Sequence, residues 1–186
     1  AAALLKLVDT VPQVLFLTGS GEPSISRYGD SDFTKVANEP NNRSALINQG
    51  FSITSANLKT SSYQIIKDSS NILVLADPKE PIEGENLQKI LKYIEEGGDM
   101  LIAVEPGRTQ NILPIAQELG VKFLPGVLVY PNQDFAPTLI SSQVSNHSFA
   151  LSRFFASLRG SVITMPTAVG LDFILGNKLI SVSLVI

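Results

Sequence analysis

Two carboxylates, Glu22 and Glu105, stand at corners where apolar runs break into glycine and proline. A pair of carboxyl groups about 5 to 9.5 Å apart is the apparatus of glycoside hydrolysis, so a carboxylate-dependent hydrolase acting on a saccharide is one reading of the chain. The first carboxylate closes the turn Gly19-Ser20-Gly21-Glu22. Nucleotide-binding folds hold phosphate in such a turn, but this one lacks the third glycine of a dinucleotide fingerprint and the lysine of a P-loop, and Glu22 would repel phosphate. A flavodoxin-like module for a nucleotide or another small molecule is a further alternative. A tight turn whose glycines supply positive φ, with Glu22 capping or pairing locally, accounts for the same residues with no ligand.

The second corner, Glu105-Pro106-Gly107-Arg108-Thr109, lies where hydrolases on related sheets present a nucleophile. A nucleophile elbow needs Ser or Cys flanked by small residues, and here the corner offers a carboxylate and a proline. Asp77-Pro78 reads as a turn in which Asp77 bonds the backbone two residues on. His147, the one histidine, has no carboxylate near it in sequence, and a capping or packing role fits it better than acid-base work. With no cysteine and one imidazole, no ligand spacing for a metal is present, and no cofactor is expected. Glu80, Glu83 and Glu85 suit the positive end of a helix dipole. The expectation is that no residue is catalytic, and that Gly19, Ser20, Gly21, Glu22, Asp77, Glu105 and Arg108 form a working edge that meets a ligand or a partner.

The elements that must position this edge follow from the apolar pattern. Val14–Leu17, Ile72–Ala76 and Met100–Val104 read as buried strands, each opening at its carboxyl end into a Gly/Pro loop. A further strand is expected at Phe51–Ser55. Leu87, Ile90, Leu91 and Ile94 recur at helical spacing and predict a helix from about Glu83 to Glu96, with Lys89, Lys92, Glu95 and Glu96 on its wet face and Gly97-Gly98 ending it. Other helices are expected over Ala1–Val8, from the Asn41-Asn42 caps through Ile47 to Gly50, from Asn111 to Leu119, and over Phe149–Leu158. Glu22–Asn42 reads as a long loop with one helical turn.

Strand, loop and helix in repetition specify an α/β fold with a doubly wound, mostly parallel sheet. Beyond Val121 the rhythm changes to short β-like runs at Val121–Phe123, Val127–Tyr130, Ser161–Met165 and Leu179–Ile186, so a β-richer C-terminal part is expected. The expected organisation is a single domain over 1–186, with a βαβ core over 1–130 and an extension over 131–186 that completes the sheet. Of the 31 charged residues 26 fall in Ala1–Lys122, leaving the last third nearly uncharged, as in a packed β segment or an interface core. A net charge of -3 and the lack of any Lys/Arg run argue against nucleic acid. The abrupt Ala1-Ala2-Ala3 start and the apolar close LISVSLVI suggest a piece of a longer, membrane-anchored protein.

Taken together, LFLTGSGE, NILVLADPKEPIEGENLQKILKYIEEGGDMLIAVEPGR and ILPIAQELGVKFLPGVLVYP resemble the extracytoplasmic auxiliary domain of an uncharacterised type of ABC transport system. That family includes the gliding-motility-associated transporter component of Bacteroidetes and is related to a domain of intraflagellar transport proteins. The resemblance continues through NHSF at Asn146–Phe149 and VITMPTAV at Val162–Val169. It departs at Ser20, where the family commonly has the histidine of TGHGE. The resemblance implies a fold similar to flavodoxin and class I glutamine amidotransferases, without the catalytic cysteine. It also implies a non-catalytic binding or scaffolding role on the periplasmic, extracytoplasmic side of the inner membrane. The implied partners are the membrane and ATPase subunits of a transporter, with the membrane reached through segments outside this chain and homo-oligomerisation left open.

Overall fold

A computed structural model describes residues 11–29, 32–60, 65, 71–131, 134–143 and 160–173. The expectations for Ala1–Val8, His147, Phe149–Leu158 and Leu179–Ile186 lie outside the described residues. The chain divides into two compact units, Ala1–Ile115 and Ala116–Ile186.

In the first unit, β1 (Gln13–Thr18), β2 (Ser52–Asn57), β3 (Asn71–Ala76) and β4 (Asp99–Ala103) form one parallel sheet in the order β2-β1-β3-β4. The continuous apolar runs make the two inner strands. Val14 to Leu17 of β1 and Leu73 to Ala76 of β3 are all buried, as strands covered on both faces must be. On one face Val14, Phe16, Val74 and Ala76 pack with Ile25 and Ala37, with half-buried Phe33, Leu46 and Phe51 from the β1–β2 connection, and with Ile53 of β2. Leu15, Leu17, Leu73 and Leu75 alternate onto the other face and are likewise buried. The fold is thus the α/β, mostly parallel architecture expected.

The connection from β1 to β2 agrees with expectation in its first part and departs from it in its second. The long loop holds one short helix, α1 (Thr34–Ala37), tied down by the Asn38 side chain, which donates to Ile25 O at 3.1 Å. Asn42 does not cap a helix. Its Oδ1 accepts from Ser44 N at 3.0 Å in a local turn, and the chain then makes only a 3-10 turn, Leu46–Gln49, before Gly50 at φ 98. Asn48 explains the loop's order, since its Nδ2 reaches the carbonyls of Glu39, Pro40 and Asn42 at once.

Helix α2 (Gly84–Glu95) matches its predicted span, but its inner face is not purely aliphatic. Tyr93 is 0% exposed, and its hydroxyl donates to Asn71 O at 3.3 Å and Asp99 O at 3.1 Å, the first residues of β3 and β4. Lys89, expected on the wet face, has a side chain only 13% exposed. It lies between Glu85 Oε1 at 3.1 Å and Leu58 O at 3.3 Å, its stem covered and its ammonium satisfied by both. Burial, then the Asp99 carboxylate, raise the Tyr93 phenol above the usual 10.0. The fold therefore prefers the protonated phenol, and that share of stability, complete below pH about 10, is lost as pH rises through the folded-state value. Urea midpoints measured between about pH 9 and 11.5 should fall steeply for the wild type and less steeply for Tyr93→Phe. Tyr28, exposed and raised by neighbouring Glu39, is unchanged in both proteins.

Strand β4 alternates exposed and half-buried residues, and the expectation of a third fully buried strand fails because, among the described residues, β4 is an edge with one covered face. The helix expected from Asn111 begins instead as a 3-10 helix, Pro106–Ile112, which passes directly into α3 (Leu113–Glu118) and stops at Gly120, φ 68. In the second unit β5 (Val121–Phe123) pairs antiparallel with β8 (Leu171–Phe173), and β6 (Leu139–Gln143) with β7 (Val162–Pro166). The β-rich character is as expected, but Val127–Tyr130 is no strand. Pro125, Gly126 and Pro131 bracket it, and its bonds are isolated ones, Leu128 N to Ala168 O and Tyr130 N to Pro137 O.

Candidate functional site

In the order β2-β1-β3-β4 the chain reverses direction of travel between β1 and β3, and the carboxyl ends of those strands border the place where open α/β sheets bind ligands. Four connections gather there, following β1, β2, β3 and β4. Their interactions bring most of the predicted edge residues together.

The turn after β1 is built by its glycines, Gly19 at φ 122 and Gly21 at φ 81. A Cβ at Gly21 would lie 3.0 Å from Lys79 Cβ, and one at Gly19 would lie 3.0 Å from Asn57 Oδ1, so both glycines also admit neighbouring loops. Ser20 is buried, and its carbonyl accepts from Lys79 N at 2.8 Å and Glu80 N at 2.9 Å. Two main-chain bonds thus close the gap between the β1 and β3 loops. Glu22 is 9% exposed and turns its Oε2 back to Ser20 N at 2.7 Å, which is the local capping role. Lys59, after β2, pairs with Glu80 at 3.0 Å on the surface.

Asp77 does not bond the backbone two residues on. It adopts φ 41, donates its amide to Ala103 O at 2.7 Å, and accepts Glu105 N at Oδ1, 3.2 Å away, and the Arg108 guanidinium at Oδ2. One half-buried carboxylate therefore ties the end of β3 to the corner after β4. Asn111, which the sequence did not single out, completes the tie: its Nδ2 donates to Pro78 O at 2.8 Å and its carbonyl accepts Ile82 N at 3.0 Å.

Residues 11–164 match the sequence profile of a family described as an ABC-type uncharacterized transport system. The chain belongs to this family of auxiliary transport components. No curated protein and no solved structure matches it. In this auxiliary ABC transport component, then, the edge residues fall into two groups. Ser20, Glu22, Asp77 and Arg108 hold the loops in place, whereas Gly21, Lys79, Glu80, Glu105 and Gly107 are exposed along the rim. The Glu22 carboxylate is folded into its own turn, and Glu105 is an exposed residue whose amide is held by Asp77. Among the described residues no group of three or more Asp, Glu or His side chains is arranged to hold a metal ion.

Proposed function

We propose that this domain is a non-catalytic contact module through which an auxiliary subunit joins its ABC transporter on the extracytoplasmic side of the membrane. The observation that carries the reading is the state of the carboxyl edge. Glu22 is spent on Ser20 N, and Asp77 on Glu105 N and Arg108, so that these carboxylates brace the loops of the edge and leave its exposed side chains for contact. A preorganised rim loses little conformational entropy on association, which suits recognition. Family membership supplies the partner class, a transporter, and ATP hydrolysis is assigned to a separate subunit because the chain carries no Walker motif. A role in gliding motility belongs to the same proposal and is supported by the resemblance of the sequence blocks.

The contact residues on this reading are Lys79 and Glu105, exposed at the tips of the β3 and β4 connections. Reversing both charges, Lys79→Glu with Glu105→Lys, in the full-length protein should lower co-purification of the transporter subunits by about tenfold or more while the thermal midpoint stays near wild type. Unchanged co-purification would remove the rim from the interface.

A further inference from the structure

The two edges of the sheet differ in what they offer. Strand β2 is polar and carries Ser52, Thr54, Ser55 and Asn57, whereas β4 reads Asp99-Met100-Leu101-Ile102-Ala103, with no charge after its first residue. Edges normally carry a charge, a proline or a bulge that blocks pairing. Among the described residues no strand covers the outer side of β4, and Leu101 at its middle is 51% exposed. The ladder with β3 fixes which peptide groups are free. Ala103 O accepts Asp77 N at 2.7 Å, and the register pairs Val74 with Leu101 and Ile72 with Asp99, so residues 99, 101 and 103 bond inward and the N–H and C=O of Met100 and Ile102 point outward.

We infer that β4 pairs antiparallel with β4 of a second copy of this chain, about a two-fold axis through Leu101. Charge selects the occupant and the register together. Centred on Leu101, the pairing sets Met100 opposite the second copy's Ile102 as a doubly hydrogen-bonded pair, Leu101 opposite Leu101 as a close non-hydrogen-bonded pair, and Asp99 opposite Ala103. No like charges then face each other. Centred on Ile102, the pairing would set Asp99 directly against the second copy's Glu105, two carboxylates in register, and centred on Met100 it would press Asp99 against Leu101. The strand is its own complement in one register only, as an isologous interface requires. The two sheets would join into one of eight strands. This inference stands apart from the transporter reading, because it uses the side of the sheet rather than its carboxyl rim.

A ladder this short makes a small interface, so association is read over a concentration series. Sedimentation equilibrium should show the chain passing from monomer to dimer, and Leu101→Lys, which faces two ammonium groups across the axis, should weaken the dimer about tenfold or more with no loss of helical circular dichroism. Because the chain has no cysteine, one introduced thiol reports geometry directly. Facing Cα atoms at a non-hydrogen-bonded pair lie about 4.5 Å apart, within disulfide reach. Leu101→Cys should therefore form a disulfide-linked dimer under mild oxidation, whereas Asp99→Cys, four residues out of register with its counterpart, should not. A chain monomeric at every concentration, equal cross-linking of the two thiols, or a Leu101→Cys thiol that links to a different transporter subunit in cells would each overturn the inference.

Discussion

Gly98→Ala is expected to destabilise the first unit by about 3 kcal/mol or more, on the scale of severe overpacking. A Cβ at this position would sit 2.3 Å from two Tyr93 ring atoms and 2.6 Å from a third. The ring has nowhere to go. It is 0% exposed, and its hydroxyl is held by Asn71 O and Asp99 O, so moving it breaks both bonds and opens the packing of α2 on the sheet. Urea unfolding of the variant should show a lowered midpoint with an unchanged slope. The same alanine in a Tyr93→Ala background should cost little, because the group it strikes is gone. A coupling of about 2 kcal/mol in that double-mutant cycle would establish the ring contact as the cause.

The second large effect is expected at Asp77. Asp77→Ala removes the acceptor for Glu105 N and the partner of Arg108 in one step, and it leaves a non-glycine residue at φ 41 without the local polar compensation that aspartate has there. The expected loss is about 2 to 3 kcal/mol, tempered by the partial exposure of Arg108. Asp77→Asn retains an acceptor for the amide and tolerance of positive φ, so its loss should be about half as large. Hydrogen exchange read by mass spectrometry should localise the difference: in Asp77→Ala the 103–112 segment exchanges faster, while β1 remains protected. Equal loss in the two variants would assign the effect to charge alone.

Much of this was legible in the sequence, and the reasons are specific. Strands β1 and β3 announce themselves because a strand buried on both faces must be apolar at every position, as Val14 to Leu17 and Leu73 to Ala76 are. The GSGE turn was readable as a turn because only glycine adopts φ 122 and φ 81 without strain. Strand β4 misled, since Met100 to Ala103 is as apolar as a buried strand while its place at the edge exposes half of it. Tyr93 and Lys89 escaped the helical pattern because a phenol and an ammonium count as polar in any periodicity. What buries them is a carbonyl on another element, Asp99 O for one and Leu58 O for the other. The Asp77–Arg108 tie joins positions 31 residues apart, and the helix of a βαβ crossover lies between them, so local turn chemistry could not reveal it.

The proposed meeting point with the transporter is the rim formed by the β3 and β4 connections. Its most direct measurement is site-specific photo-cross-linking in cells from the full-length protein, with the reactive side chain at position 79, at position 105, or at position 92 on the exposed side of α2. Adducts with a transporter subunit from 79 and 105, and none from 92, are the predicted result. Adducts from 92 alone, or none with any transporter subunit from 79 and 105, would contradict it.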